Sequence, residues 1–309
     1  MNSIEIIQTG IYLPKVKITS SQIEKSLNLK EGYIQKRTGI ENRYYATKER
    51  IEDIAYNAIK EIFVKDIKKE DIGLIITATT STNLLMPGIS NYLQKKLEIE
   101  KCICLDILAG CGGYINAFDI ARLYLQNNLI KKALVIGVDV LSKNLKEDDV
   151  ATRVVLSDGA GAILLSKSLN ENKKYESNII SEIDEKEILI AKTDDKIYMN
   201  GKEIYKYAVT KTIENINELL KKANETIENI KYIVPHQSNI KIINSIANRL
   251  NIDTNKMYIN IQNRGNTFCA SIPIAINDMM KNNLVKKGDK IILLGYGGGL
   301  NTGSILIEI

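Results

Sequence analysis

The stretch LDILAGCGG at Leu105–Gly113 joins a run of apolar residues to a helical pattern through a turn of small residues. The apolar residues before the turn indicate a buried strand, and the amphipathic pattern after it predicts a helix from about Gly112 to Gln126. A strand that passes directly into a helix is typical of an α/β protein. The turn also carries a cysteine, Cys111, where this helix begins.

The alternation of strands and helices extends in both directions from this turn. In the first part of the chain we predict strands at Ile72–Ala78, Ile103–Leu108, Ala133–Val138 and Ala160–Ser166, and helices at Gly88–Leu97 and Gly112–Gln126. In the second part we predict strands at Ile230–Val234, Met257–Ile261, Lys290–Gly295 and Gly303–Ile309, and helices at Gly201–Ala223, Asn239–Leu250 and Ser271–Met280. Continuous apolar strands between helices predict sheets that are covered on both faces.

The second part of the chain repeats the order of elements of the first. The strand centres have counterparts at nearly constant spacing: Ile75 with Ile233, Leu105 with Ile259, and Val135 with Ile292. A repeat of this length indicates two related halves. We therefore expect an N-terminal half over residues 1–169 and a C-terminal half over residues 170–309. The polar stretch Asn170–Lys202 is interpreted as an irregular insertion between them.

The composition excludes several classes of protein. A net charge of +5, from 42 basic and 37 acidic residues, is too small to indicate nucleic acid binding. No run of apolar residues is long enough to span a membrane, and the first residues do not have the pattern of a secretory signal. The spacing of the four cysteines fits neither a disulfide framework nor a zinc site. We therefore expect free thiols and a cytoplasmic location.

Cys111 is the candidate nucleophile. A thiol at the start of a helix lies at the positive end of the helix dipole, which stabilises the thiolate. The glycines around it permit a tight turn and the close approach of a ligand. The alternative is a small buried cysteine of the core, which is the usual role of a free cysteine. Cys102 and Cys104 are better explained as core residues, and Cys269 as a core residue or part of a cavity wall.

Two polar residues in the second half are further candidates. His236, the only histidine, follows a predicted strand, and ligands of α/β proteins bind at the carboxyl ends of strands. Asn266 occupies the place in the second half that Cys111 occupies in the first. A hydrogen-bonded structural histidine and a helix-capping or turn asparagine are the alternatives. The glycines at Gly297–Gly299 form either a flexible hairpin or a loop whose N–H groups make an oxyanion hole.

Taken in order, these motifs resemble the type III β-ketoacyl-acyl carrier protein synthases of the thiolase-like superfamily. The resemblance covers almost the whole chain and includes TGIYLP at Thr9–Pro14, RTGIENR at Arg37–Arg43, SDGAG at Ser157–Gly161, VPHQSN at Val234–Asn239, RGNT at Arg264–Thr267 and the loop at Gly297–Gly303. It implies an α/β, thiolase-like duplicated fold with two mixed β-sheets in a layered α-β-α-β-α arrangement. It also implies a homodimer.

The resemblance implies an acyltransferase that initiates fatty acid synthesis by decarboxylative Claisen condensation. Cys111 would accept an acyl group from a coenzyme A thioester, and acyl carrier protein would deliver a malonyl group. His236 and Asn266 would hydrogen-bond the malonyl thioester carbonyl as carbon dioxide leaves, and the N–H groups of Cys111 and Gly298 would hold the oxyanion. Coenzyme A enters as a substrate, and neither a cofactor nor a metal is expected.

Further positions match the substrate contacts of the family. The pantetheine and coenzyme A contacts are Tyr33, Arg37, Thr38, Met199, Gly201 and Asn239. A basic rim for acyl carrier protein consists of Lys206, Lys241 and Arg249, for which plain surface charge is the alternative. Met86 would enter the acyl pocket of a partner subunit.

The chain departs from the family pattern at Tyr33, at Val150 and at Met86, which stands where the family usually has a bulky aromatic residue. Tyr33 stands where the family usually has tryptophan, and Val150 stands where it usually has arginine, the nearest arginine being Arg153. These departures leave open a related starter-unit ketosynthase or acyltransferase of a specialised polyketide or lipid pathway. A non-catalytic acyl-binding protein is a third hypothesis. It is disfavoured because the cysteine, the histidine and the asparagine of the family's active site are all present.

Overall fold

The computed structural model of the chain describes residues 3–64, 67–82, 84, 86–145, 148–170, 172–192 and 197–309. The strands are β1 (Ile4–Tyr12), β2 (Val16–Thr19), β3 (Asn42–Tyr45), β4 (Ile72–Ala78), β5 (Ile103–Ile107), β6 (Lys132–Asp139), β7 (Gly159–Lys167), β8 (Tyr175–Ser181), β9 (Leu189–Ile190), β10 (Tyr198–Met199), β11 (Tyr232–Pro235), β12 (Lys290–Gly297) and β13 (Asn301–Glu308). The helices are α1 (Ser20–Ser26), α2 (Tyr33–Thr38), α3 (Ile51–Lys60), α4 (Ile89–Leu97), α5 (Gly113–Gln126), α6 (Val150–Arg153), α7 (Gly201–Ala223), α8 (Ile240–Arg249), α9 (Ile261–Arg264) and α10 (Ser271–Lys281).

Two mixed sheets form the framework of the protein. The first has the strand order β1-β7-β6-β4-β5, in which β4 runs parallel to β5 and β6 while β7 runs antiparallel to β6 and β1. The second has the order β11-β12-β13-β8, with β11 and β12 parallel and the other pairs antiparallel. The chain passes from the first sheet to the second between Lys167 and Tyr175.

Helices cover both faces of each sheet. Side chains from α5 and α10, such as Phe118 and Ile276, share one buried cluster with strand residues of both sheets, so these helices lie between the sheets. Residues of α3 and α4 pack on the outer face of the first sheet, and residues of α7 and α8 pack on the outer face of the second. The predicted layered α-β-α-β-α arrangement is therefore confirmed. None of the helices in the described part of the chain combines the length and the apolar surface that a membrane span requires.

The predicted insertion at Asn170–Lys202 is partly wrong, because it contains β8. This seven-residue strand pairs with β13, from Tyr175 opposite Ile307 to Ser181 opposite Asn301. Its sequence, YESNIIS, mixes polar and apolar residues because β8 is an edge strand with only part of its surface buried. A half-buried edge strand has no continuous apolar run to predict it.

The predicted strand at Met257–Ile261 is also wrong. Only Met257 forms a bridge, to Ile233 of β11, and α9 already begins at Ile261. The side chain of Gln237 takes the place of a strand partner: its Nε2 donates to the Tyr258 carbonyl at 3.0 Å, and its Oε1 accepts from the Asn260 N–H at 3.1 Å. The Tyr258 N–H still donates to the Ile233 carbonyl at 2.8 Å, but two other backbone groups of this segment pair with a side chain, which apolar patterning does not reveal.

Candidate active site

The turn that carries Cys111 is pressed against the glycine loop that follows β12. Gly110 has φ of +58°, and a Cβ there would lie 2.5 Å from the Gly298 carbonyl oxygen. A Cβ on Gly297 would lie 2.9 Å from Cys111 Cβ. Only glycine permits this approach, so the two loops of small residues found in the sequence meet at the candidate nucleophile.

His236 lies at the carboxyl end of β11, buried beneath the end of β12. Its backbone N–H donates to the Leu294 carbonyl at 2.7 Å, and its ring packs edge-on against the Tyr296 ring, with 5.4 Å between the centroids. The ring atom Nδ1 lies 2.7 Å from Ser271 Oγ. Burial lowers the pKa of His236 to about 3, so the imidazole is neutral at pH 7.

Asn266 lies between α9 and α10, with its backbone fixed on both sides. Its N–H donates to the Val155 carbonyl at 2.9 Å, and its carbonyl accepts from the Ser157 N–H at 2.8 Å. The side-chain Oδ1 accepts from the Phe268 N–H at 3.0 Å. Because the oxygen of the amide is used in this way, the Nδ2 group is the end that remains to donate to a ligand.

Phe268 connects the three candidates. Its backbone N–H donates to Asn266 Oδ1, and its ring packs against the His236 ring with 6.5 Å between the centroids. Phe268 also lines a cavity together with Cys111. That cavity measures about 830 Å³ and also borders Gly298. His236 and Asn266 do not themselves line it. The structure thus brings the three residues into one neighbourhood, whose common member, Phe268, sequence reasoning missed.

The electrostatics of the thiol differ from the sequence-based expectation. Burial raises the pKa of Cys111, and the negative charge of Asp139 raises this pKa further. Cys111 is only 5% exposed. Burial and a nearby carboxylate therefore oppose the helix dipole of α5, and the expectation of a stabilised thiolate is wrong for the resting site.

Asp139 is a second residue that sequence reasoning missed. It ends β6 and is fully buried, and its Oδ2 accepts from the Cys269 N–H at 2.9 Å. Its Oδ1 accepts from the Thr80 N–H at 2.7 Å and from the hydroxyls of Thr79 and Ser81. Asp139 therefore ties the loop after β4, which lines the cavity, to the turn that contains Phe268.

The other cysteines lie outside this chemistry. Cys269 is buried, and its thiol donates to the Gly110 carbonyl at 3.2 Å, so it supports the Cys111 turn from beneath. Cys102 and Cys104 are half-buried at the edge strand β5, with sulfur atoms 3.7 Å apart. Within the described part of the chain, no group of three or more His, Cys, Asp or Glu side chains is arranged to hold a metal ion.

The residues predicted to contact coenzyme A lie on several elements near one another, but none lines the cavity that contains Cys111. Tyr33 and Arg37 are on α2, and the Arg37 guanidinium lies 4.4 Å above the Tyr33 ring. Thr38 donates its hydroxyl to the Ile34 carbonyl. Gly39, which ends α2, packs closely on Ile240 of α8.

The remaining predicted coenzyme A contacts lie at the starts of helices. Asn239 caps α8 by accepting from the Lys241 N–H at 2.9 Å. Met199 is in the short strand β10, and Gly201 begins α7. Arg153, the nearest arginine to the position of Val150, donates to Ser26 Oγ at 3.1 Å.

The predicted basic rim lies on two adjacent helices. Lys206 is on α7, and Lys241 and Arg249 are on α8; all three side chains are exposed. The helices are joined by a hydrogen bond of 2.7 Å between Tyr205 Oη and Ser245 Oγ. Met86, expected to reach a partner subunit, is 88% exposed.

Comparison with known proteins gives a consistent result. Family models described as 3-oxoacyl-[acyl-carrier-protein] synthase III and its C-terminal region match residues 105–182 and 220–309. The beta-ketoacyl-[acyl-carrier-protein] synthase III of Clostridium acetobutylicum is 37% identical over 323 residues, covering 100% of this chain and 99% of that protein.

Solved structures agree with the sequence comparison. The 3-oxoacyl-[acyl-carrier-protein] synthase III of Aquifex aeolicus superposes with a TM-score of 0.95 at 36% identity, covering 99% of this chain and all of the other. The corresponding synthase of Thermus thermophilus gives a TM-score of 0.93 at 28% identity, covering 98% of each chain.

Proposed function

This chain belongs to the 3-oxoacyl-[acyl-carrier-protein] synthase III family, and on that premise we propose which of its residues carry the reaction. It is a condensing enzyme, a transferase of fatty acid biosynthesis with the activity of a β-ketoacyl-acyl carrier protein synthase III. We assign the nucleophile to Cys111 and the carbonyl-binding groups to His236 and Asn266. The observation that carries this assignment is the position of all three around Phe268.

The first half-reaction is acyl transfer. The sulfur of Cys111 attacks the carbonyl carbon of an acyl-coenzyme A thioester, and a new carbon–sulfur bond forms as the bond to coenzyme A breaks. Because burial and Asp139 keep the resting thiol protonated, its proton leaves with the thiolate of coenzyme A. We assign stabilisation of the tetrahedral oxyanion to the N–H groups of Cys111 and Gly298, on the two loops that meet in this site.

The second half-reaction is decarboxylative condensation. The bond between the malonyl α-carbon and its carboxylate breaks, carbon dioxide leaves, and the electron pair enters the thioester carbonyl as an enolate. N–H donors from His236 and Asn266 hold the enolate oxygen, after which the carbon attacks the acyl group on Cys111 and the cysteine sulfur leaves. A neutral imidazole suits this role, because it donates a hydrogen bond without adding a labile proton.

We further propose that the enzyme is a homodimer. Strand β5 lies at the edge of its sheet and pairs only with β4 within the described residues. Close to it, Leu108 is 70% exposed and Met86 is 88% exposed, and Leu108 also lines the cavity of Cys111. An edge strand with exposed apolar neighbours favours pairing with a second copy. That copy would close the cavity with its own Met86.

The substrates and location follow from the same premise. We propose that acyl-coenzyme A and malonyl-acyl carrier protein are the substrates, that the basic rim of α7 and α8 receives the acidic carrier protein, and that Tyr33, with Arg37 above it, contacts coenzyme A. We propose no resident cofactor, because the thiol, imidazole and amide groups of the chain supply each step. Four free cysteines support a reducing, cytoplasmic location.

Mass spectrometry with a panel of short acyl-coenzyme A thioesters tests the assignment. We expect an acyl adduct on Cys111 and, with malonyl-acyl carrier protein, a β-ketoacyl product. Cys111→Ala should lose both, whereas the matched variant Cys269→Ala, which removes the other buried thiol, should keep the adduct. His236→Ala should keep acyl transfer and lose decarboxylation; the reverse pattern would show that the roles are wrongly assigned.

A related starter-unit enzyme of a specialised pathway is the second candidate. The observation that favours it is the pair of departures at Tyr33 and Val150, where the chain lacks the indole and the guanidinium expected from the family pattern. The same acyl panel separates the two. Adduct formation at Cys111 without a β-ketoacyl product from any short acyl group would favour the second candidate.

A further inference from the structure

The neutral imidazole of His236 can carry its proton on either ring nitrogen. The proposed function needs the proton on the nitrogen that faces substrate, because only an N–H group can hold an enolate oxygen. Nδ1 is occupied by Ser271 Oγ at 2.7 Å, and within the described residues Nε2 has no protein partner. Nε2 is therefore the atom left for a substrate, and the choice of tautomer decides whether it donates or accepts.

Ser271, the partner of Nδ1, is itself held by a second hydrogen bond. Its Oγ accepts from the Gln237 N–H at 3.4 Å. The Gln237 side chain is held in turn, donating to the carbonyls of Pro235 at 2.8 Å and Tyr258 at 3.0 Å. This network fixes the Gln237 backbone, so that its N–H points at one lone pair of the serine oxygen.

The serine hydroxyl has a single proton to place. Within the described residues, the acceptor within hydrogen-bond distance of Ser271 Oγ is Nδ1 of His236. If Nδ1 were protonated, the serine oxygen would face two N–H groups, and its own proton, in a residue that is 2% exposed, would have no acceptor. If Nδ1 is unprotonated, it accepts the serine proton, the serine oxygen still accepts from the Gln237 N–H, and the Nε2–H group is left to donate to a substrate.

We propose that Ser271 is a positioning residue that donates its hydroxyl proton to Nδ1 of His236 and so keeps the imidazole proton on Nε2. This rests on the proposed role of His236 as a hydrogen-bond donor. The cost of an unsatisfied buried hydroxyl corresponds to a preference of roughly 5- to 150-fold for the Nε2–H tautomer. Ser271 thereby acts on decarboxylation through the histidine, without contact with the nucleophile.

The single histidine makes the test direct. In protein labelled with ¹⁵N-histidine, one pair of ring nitrogens appears in a long-range ¹H–¹⁵N spectrum, and a protonated nitrogen is distinguished from an unprotonated one by its shift. We expect Nε2 protonated and Nδ1 unprotonated in the wild-type protein at pH 7. A wild-type spectrum with the proton on Nδ1 overturns the proposal without any variant.

Two substitutions and a control complete the test. In Ser271→Ala the donor is lost, so the ratio of the Nδ1–H to the Nε2–H tautomer should rise at least about five-fold. Ser271→Thr keeps the hydroxyl and should restore the wild-type spectrum. Ser238→Ala removes a nearby hydroxyl that pairs with Tyr296 instead and should leave the tautomer unchanged. An unchanged tautomer in folded Ser271→Ala contradicts the proposal.

Kinetics separate this inference from the proposed function. Ser271→Ala should acylate Cys111 at the wild-type rate and decarboxylate more slowly, with kcat falling more than KM changes. If wild-type protein forms no acyl adduct, the proposed function fails while the spectrum still reports the tautomer. If the adduct forms and the tautomer does not depend on Ser271, the inference alone fails.

Discussion

Lowering the pH from 7 to 5 should destabilise the wild-type protein relative to a His236→Gln variant by about 2 kcal/mol. Burial lowers the pKa of His236 to about 3 in the folded protein, whereas a histidine in the unfolded chain has a pKa of about 6.5. Between these values the unfolded state binds more protons than the folded state, so stability falls as the pH falls from about 6.5 towards about 3. Each pH unit in that window costs about 1.4 kcal/mol, and pH 5 lies about 1.5 units below the upper limit.

The assay is denaturant unfolding of both proteins at the two pH values. Carboxylates titrate in both proteins and cancel in the difference, which isolates the histidine. The variant is expected to be less stable at pH 7, but only the change with pH is compared. Asn266→Ala serves as a control, since it disturbs the same neighbourhood without removing a titrating group and should keep the wild-type dependence on pH. Equal pH dependence in wild type and His236→Gln would refute a buried, neutral imidazole.

Two further predictions concern the residues that frame the thiol. Gly110→Ala should lower the free energy of unfolding by at least about 1–2 kcal/mol, because Gly110 has φ of +58° and the new Cβ would lie 2.5 Å from a backbone oxygen. Gly112→Ala is the control: its Cβ would lie 3.6 Å from the nearest atom, so the free energy of unfolding should change by less than about 0.5 kcal/mol. Thermal or denaturant unfolding measures both variants. Asp139→Asn should lower the pKa of Cys111, measured from the pH dependence of alkylation, because it removes the negative charge that raises that pKa. Asp158→Asn is the control, because Asp158 is also a buried carboxylate but accepts from other backbone N–H groups. It should lower the free energy of unfolding by about 1–3 kcal/mol, as Asp139→Asn should, and leave the pKa of the Cys111 thiol unchanged.

Apolar patterning predicted most of the framework because it reports burial, and the buried elements of this protein are regular. Strand β4 and helix α7 have the predicted bounds, Ile72–Ala78 and Gly201–Ala223. In α7 the ends are also fixed locally, by Asn200 at the start and by Asn224 in a left-handed conformation at the end. The pattern failed for β8, which is only half-buried, and at Met257–Ile261, where apolar residues are buried without a strand ladder.

The candidate site was predicted unevenly for a similar reason. Cys111, His236 and Asn266 were found because each follows an element end in a repeated order, and the structure gathers them around Phe268. Ser271 and Asp139 were not found, because each acts through a contact with a segment far away in the sequence. Ser271 meets His236 across 35 positions, and Asp139 meets Cys269 across 130. Neither contact has a counterpart in composition, periodicity or local turn chemistry.

The resting site holds its two reactive groups uncharged, which bears on how one cavity serves two different half-reactions. A buried thiol with a raised pKa and a buried imidazole with a lowered pKa are both neutral near pH 7, so binding a thioester displaces no ion pair within the site. Charge then develops only during reaction, first as an oxyanion and then as an enolate. In a buried site, fixed N–H donors stabilise such charge more strongly than water-exposed groups would. The donors can act only if the imidazole proton is on Nε2, which is the position that the proposed hydrogen bond from the hydroxyl of Ser271 to Nδ1 would maintain.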